Sequence, residues 1–302
     1  MKKLVAFSFL FLCLNSFICF AEKIDVFKLV EKATPESLDI MLKKGIDFNV
    51  QRSISDFDDD TELDIDYWPF DTGETPLHRA AAYNHNPESI KFLINHGLDV
   101  NARAYVGNYA SISPLACAVS FKNIAAVEEL LKAGANPNNW IEGGYNFVGT
   151  SFHIVAVDYD DETSVTREII TLLIKAGGNV NSYEKLSEET LKGLNKSEPD
   201  FAKHKTIFLS RNQWPDDEPF YNMTGFFAHY TMRHFLSTFT PLMWAVIYDK
   251  PNIADILLDF GADVNIRSVE NKSAVDYAND LPESSKLKKS SVFKKLESLA
   301  SH

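Results

Sequence analysis

Apolar and polar residues alternate in a short recurring block. In the clearest copy, Gly73 opens a turn and Thr75-Pro76 begins a helix whose apolar face is Leu77, Ala80 and Ala81. Proline costs nothing at a first helical position, where its missing N–H would have no partner. Thr75 can cap that end through its hydroxyl. The small side chains on the apolar face let a second helix come close. The pattern predicts that second helix over 88–95, ending at Gly97 in a left-handed cap. Leu98-Asp99-Val100-Asn101 then leads into a turn.

The block returns along the chain. Ser113-Pro114-Leu115-Ala116-Cys117-Ala118 precedes a helical run that closes on Gly134-Ala135-Asn136. Thr150-Ser151-Phe152-His153 precedes a run closing on Gly177-Gly178-Asn179-Val180-Asn181. Thr240-Pro241-Leu242-Met243-Trp244-Ala245 precedes one closing on Gly261-Ala262-Asp263-Val264-Asn265. Two weaker copies flank these. The front one keeps its second half, 37–44 followed by Gly45-Ile46-Asp47-Phe48-Asn49. The rear one, 273–278 and 291–300, lacks the closing glycine. Degenerate end copies are expected, because terminal units must show water a polar face.

Thr75-Pro76-Leu77-His78-Arg79-Ala80-Ala81 and its copies resemble the ankyrin repeat. The resemblance implies an all-α fold, a solenoid of about six helix-turn-helix repeats with loop insertions. It also implies that His78 and His153 are structural, tying each turn to its neighbour. Partner contact is implied at the turn tips and at two variable positions closing each inner helix. Those pairs are Ala82-Tyr83, Ser120-Phe121, Val157-Asp158 and Ile247-Tyr248.

The expected organisation is a signal peptide over 1–21, repeats one to four over 22–181, an aromatic-rich insertion over 182–238, and repeat five with a capping repeat over 239–302. Lys2 and Lys3 followed by an apolar run and Cys19-Phe20-Ala21 predict cleavage after Ala21. The mature protein is then secreted or periplasmic, with no membrane insertion after cleavage. Cys117 becomes its single cysteine, expected to be a buried apolar side chain.

The insertions depart from the repeat pattern. Residues 50–72 carry an acidic run in which Asp56, Asp58 and Asp60 imitate the start of a calcium loop. Thr61 stands where that loop needs glycine, and Tyr67 where it needs glutamate, so a solvated acidic loop is the preferred reading. Shorter extensions at 104–112 and 140–149 fall on turn tips and bring Tyr105, Tyr109, Trp140, Tyr145 and Phe147. Exposed Tyr and Trp give large contact area at small entropic cost. The 182–238 insertion is so aromatic that packing against the repeats is expected. His229 and His234 within it are five apart, the wrong spacing for a zinc-binding helix pair.

The chain has 302 residues and a formal charge of −12, near −14 by subtraction once Lys2 and Lys3 are removed. That balance argues against nucleic acid as a partner. No catalytic constellation, metal motif or cofactor loop stands out, so no catalytic residue, metal or cofactor is expected. The expected function is that of a non-enzymatic, monomeric scaffold for a protein partner of unknown identity. Its candidate contacts are Tyr83, Tyr105, Phe121, Trp140, Tyr145, Asp158 and Tyr248. The alternative is a ligand- or metal-binding, hydrolytic protein with its site between the 182–238 insertion and the repeats. A third possibility is a host-directed effector.

Overall fold

The computed structural model describes residues 25–52, 73–105, 111–142, 148–159, 163–185 and 238–300. The signal segment, nearly all of the acidic insertion and residues 186–237 lie outside that set, and with them Asp56, Asp58, Asp60, His229 and His234.

The described residues form an all-α stack of six helix pairs. Inner helices are α1 (Val26–Val30), α3 (Pro76–Tyr83), α5 (Pro114–Ser120), α7 (Ser151–Asp158), α9 (Pro241–Ile247) and α11 (Ala274–Asp280). Outer helices are α2 (Pro35–Lys43), α4 (Pro87–Asn95), α6 (Ile124–Lys132), α8 (Thr163–Lys175), α10 (Pro251–Asp259) and α13 (Ser291–Ala300). A short α12 (Lys286–Lys289) precedes the last. The one ladder among these residues is a two-rung ribbon pairing β1 (Ile141–Glu142) with β2 (Val148–Gly149) at a turn tip.

Each inner helix packs on the next, and each outer helix on the next outer one. The order holds across both long insertions, since α1 packs on α3 and α7 on α9. The inner helices flanked on both sides are therefore enclosed nearly all round. Every residue from Pro76 to Ala82 and from Pro241 to Ile247 is buried. Alanine at 80–82 and Ala116, Cys117 and Ala118 keep these helices thin enough to stack. Burial pushes the Cys117 thiol pKa well above its ordinary value, and no basic group offsets it enough to make it reactive.

The ends of the helices follow from the motif. Ser113 and Thr240 accept from the backbone N–H three residues on, at 3.2 Å in both cases. Gly97 has φ +91°, a conformation that L side chains avoid, and the four equivalent glycines share it.

Repeat four departs from the pattern at a paired position. Phe152 stands where the other repeats have Leu77, Leu115 and Leu242, and Gly178 stands where they have Leu98, Ala135 and Ala262. A Cβ at Gly178 would lie 2.8 Å from the Phe152 ring and 2.7 Å from the Leu173 carbonyl. The larger ring thus occupies the space a side chain would fill. Gly178→Ala should destabilise the protein by about 1–3 kcal/mol in denaturant titration, as overpacking does. Adding Phe152→Leu should relieve part of that loss.

The first and last repeats depart in other ways. Helix α1 has no Thr-Pro-Leu start; Asp25 caps it by accepting from Phe27 N at 3.0 Å. At the rear, Asp249 takes φ +54° and its carboxylate receives Ser285 Oγ, Lys286 N and Leu287 N at 2.8–2.9 Å. That one side chain fastens α12 to repeat five.

Candidate functional site

Three sets of bonds hold the repeats in register and so position any binding face. The first is made by histidine. The Nδ1 of His78 receives the Thr75 N–H at 3.2 Å, so the proton sits on Nε2, which donates to the Ile112 carbonyl at 3.1 Å. His153 repeats this with Thr150 N at 2.9 Å and the Phe239 carbonyl at 2.9 Å, reaching across the whole 182–238 insertion. Burial pushes both imidazoles down to about 4, which keeps them neutral.

The second set joins the turn tips. Asn101 donates to the Gly134 carbonyl at 3.4 Å and accepts from Asn136 N at 3.0 Å. Asn138 does the same with Gly177 and Asn179 at 3.0 and 2.8 Å. Asn181 does it with Gly261 and Asp263 at 3.2 and 2.8 Å. The last asparagine of the Gly-x-Asp/Asn-x-Asn motif in repeats two, three and four therefore brackets the glycine turn of the next repeat.

The third set ties the far ends of the inner helices. Asn84 donates to the Val30 and Ala33 carbonyls, and Asn123 to those of Ala81 and Asn84, all at 2.8–2.9 Å. In later repeats different chemistry does this work. The Tyr159 hydroxyl donates to the Val119 carbonyl at 2.5 Å, and Lys250 Nζ donates to the Val157 and Tyr159 carbonyls.

A buried ionic cluster joins repeats one and two. Glu74 is fully buried, with Arg79 Nε at 2.6 Å and Arg52 Nε at 3.2 Å. Arg79 also lies 3.7 Å from Glu31, and Arg52 lies 3.5 Å from Asp25. The backbone closes the same junction, since Arg52 N donates to the Glu74 carbonyl and Gly73 N to that of Arg52. Burial pushes the Glu74 carboxyl up to about 7 against the pull of Arg79 and Arg52.

Against this frame the seven candidate contacts fall into two groups. Tyr83, Phe121 and Tyr248 sit at the C-terminal ends of their inner helices and are half-buried. Tyr83 and Phe121 meet edge-on across the repeat boundary, with ring centroids 4.8 Å apart. Tyr248 lies against Trp244 of its own helix at 5.6 Å. The equivalent residue between them is Asp158, which ends α7 and whose side chain is outside the described residues. Tyr105 and Trp140 belong to the opposite, N-terminal ends. Tyr105 is 43% exposed, and Trp140 packs edge-on at 5.9 Å from His153, near the start of α7. An inner helix of eight residues is about 12 Å long, so the two groups are separate patches. Tyr145 lies outside the described residues.

Sequence reading did not single out Tyr159, which is buried directly after Asp158, or Tyr183, which is 38% exposed beside Asn181. Counting from the closing glycine would have placed Tyr183 in register with Trp140. Among the described residues no three acidic, histidine or cysteine side chains converge to hold a metal ion. No helix among them is long and apolar enough to cross a membrane. The alternative site against the 182–238 insertion falls mostly outside the described residues.

The family follows from two matches. A family model for ankyrin repeats in three copies matches residues 30–139, and one for ankyrin repeats in many copies matches 229–278; together they cover more than half of the chain. The chain belongs to the ankyrin-repeat family. Repeat four lies outside both matches, yet α7 and α8 stack between their neighbours like the rest. No curated protein matches in sequence. Among solved structures, the Bd0816 predatory endopeptidase from Bdellovibrio bacteriovorus in complex with immunity protein Bd3460 contains a similar chain. The identity is 19%, the TM-score 0.49, and the match covers 90% of this chain and 96% of that one. At that distance nothing about activity or partner passes to this chain.

Proposed function

We propose that this ankyrin-repeat protein is a non-enzymatic interaction scaffold acting outside the cytoplasm, in the periplasm or after secretion, with its first 21 residues removed as a signal. It binds a protein partner through the ends of its inner helices and through its turn tips. The observation that carries this reading is the Tyr83–Phe121 pair, two aromatic rings in contact across a repeat boundary and half-buried at the helix ends. Large aromatic side chains dominate the binding energy of protein interfaces, especially where a rigid frame holds them. Here the frame is rigid because every repeat is bonded to the next through the turn tips or the helix ends. The basic start, apolar run and Cys19-Phe20-Ala21 cleavage pattern support the location.

Chemical cross-linking of the mature chain in its own cell envelope, followed by mass spectrometry, tests the proposal. A variant with alanine at Tyr83, Phe121 and Tyr248 should recover the cross-linked partner at least tenfold less well than the parent chain. Equal recovery by the two chains would contradict it. N-terminal sequencing of the same material should begin at Glu22; an intact Met1 would contradict the export part of the proposal.

A further inference from the structure

The bonded turn tips carry a second pattern that the inner-helix row does not use. Six residues after the closing glycine, the fingers of repeats two to five present Arg103, Trp140, Tyr183 and Arg267. These are equivalent positions. The Asn101, Asn138 and Asn181 bonds hold each finger against the next in the same register, across the 182–238 insertion as well. The following residue turns inward in three of the four fingers, where Ala104, Ile141 and Ser268 are buried. In extended backbone successive side chains point to opposite faces, so Arg103, Trp140 and Arg267 before them share the outward face, and in the remaining finger Tyr183 is itself exposed. Arg103, Tyr183 and Arg267 are exposed, and Trp140 is half-buried.

We infer that these four side chains form an extended strip that binds an acidic peptide segment, with a carboxylate near each end and bulky apolar side chains between. The inference rests on the reading of the protein as an interaction scaffold. The chemistry of the strip selects the segment. Two aromatic residues stand in the middle and an arginine stands at each end, in a chain whose net charge is −12. A guanidinium carries five N–H donors in a planar fork that fits a carboxylate. Here each fork is steadied by one or two neighbours among the described residues without using all five donors. Arg103 donates to Ser111 Oγ at 2.6 Å, and Arg267 donates to the Asn271 carbonyl at 2.5 Å. Arg267 also meets Asp276 at 3.2 Å, where both side chains are about half-exposed and an added carboxylate can compete. The spacing sets the length. Packed helices lie about 8–10 Å apart, so three repeat steps separate the arginines by about 24–30 Å. An extended chain covers that in about eight or nine residues.

The strip can be tested on the full mature chain by fluorescence anisotropy with labelled nine-residue peptides. One probe has glutamates at both ends and two phenylalanines in the middle. A second replaces the glutamates with lysines, and a third replaces the phenylalanines with alanines. The glutamate-ended phenylalanine peptide should bind at least tenfold more tightly than either control. Tyr183→Ala should weaken it about tenfold without changing the melting midpoint, a check that Trp140→Ala cannot give cleanly because that ring packs on His153. Arg103→Glu with Arg267→Glu should reverse the preference toward the lysine-ended peptide. Equal binding of the acidic and basic peptides, or no binding of the acidic one at millimolar concentration, overturns the inference. Self-association of the chain that the same arginine changes abolish would assign the strip to a second copy and overturn it too. If the peptides fail while partner recovery still depends on Tyr83, Phe121 and Tyr248, the strip is wrong and the scaffold reading stands. If peptide binding holds and that dependence is absent, the inner-helix reading is the one that fails.

Discussion

Between pH 6.5 and 4 the protein should lose stability at about 1.4 kcal/mol per pH unit. Two buried histidines drive the loss. His78 and His153 are each held neutral, with folded pKa values of about 4 against an ordinary 6.5. In that interval the unfolded chain takes up their protons and the folded chain does not. Their contribution is complete above pH 6.5 and falls away as the pH drops through about 4. Each imidazole alone represents about 3 kcal/mol over the interval. Glu74 acts in the opposite sense. Its folded pKa is raised to about 7, so it stabilises the fold most below its ordinary 4.5 and loses that contribution as the pH rises through about 7. One carboxyl therefore offsets roughly one histidine, which leaves the net slope of a single group. Urea titrations at pH 7.5, 6, 5 and 4 measure it. Glu74→Gln should make the acid loss steeper, because the opposing group is gone. A flat profile between pH 6.5 and 4 would show that the two imidazoles are not buried and held neutral as described.

At pH 8, where Glu74 is ionised in the parent protein, Arg79→Ala should destabilise the protein by up to about 3–5 kcal/mol, the cost of stranding a buried charge, and by less at lower pH, where Glu74 takes up a proton instead. Arg79 is almost wholly buried and holds the fully buried Glu74 at 2.6 Å. Without it Glu74 keeps Arg52 at 3.2 Å. The loss should be felt most in the first repeat, because Arg79 also faces Glu31 of that repeat and Arg52 ends it. Hydrogen exchange in α1 and α2 should accelerate more than in α9 and α10. Combining Arg79→Ala with Glu74→Gln should recover much of the stability, since the stranded charge is then absent. Strict additivity of the two changes would mean that the residues are not coupled.

Much of this arrangement was legible in the sequence, for local reasons. Thr75-Pro76-Leu77-His78 contains its own cap, its own first-turn proline and its own imidazole acceptor within four residues. The closing glycines reveal themselves because only glycine takes φ near +90° at low cost. Helix α1 was not legible, because five residues without the motif leave no periodic signal, and its inner-helix role comes from packing on α3. Helix α12 was missed for a similar reason, since it has four residues and the Asp249 that anchors its first N–H groups lies 37 residues before Lys286. The Glu74–Arg79–Arg52 cluster depends on the two ends of the acidic insertion meeting, which no short window records. Lys250 also concealed its role. Its ammonium reaches two carbonyls where Asn84 and Asn123 use an amide, and a surface lysine at a turn gives no hint of that.

The candidate contacts were only half legible. A repeat register places Tyr83, Phe121 and Tyr248 at equivalent helix ends. It does not reveal that two of them touch while Asp158 stands before the third. Tyr105 and Trp140 were read apart from that row, on turn tips, because the extensions at 104–112 and 140–149 fall between repeats. Tyr183 escaped because the 182–238 insertion begins one residue before it, which hid its equivalence with Trp140.

Phe121→Ala, measured for both folding and partner binding, tests the scaffold reading most directly. Phe121 caps α5 and meets Tyr83 edge-on while remaining half-buried. If the helix ends are a binding face, binding to the recovered partner should weaken by about 1–3 kcal/mol, and the denaturation midpoint should hardly move. A loss of about 3–5 kcal/mol in stability with unchanged partner binding would make Phe121 a core residue and contradict the account.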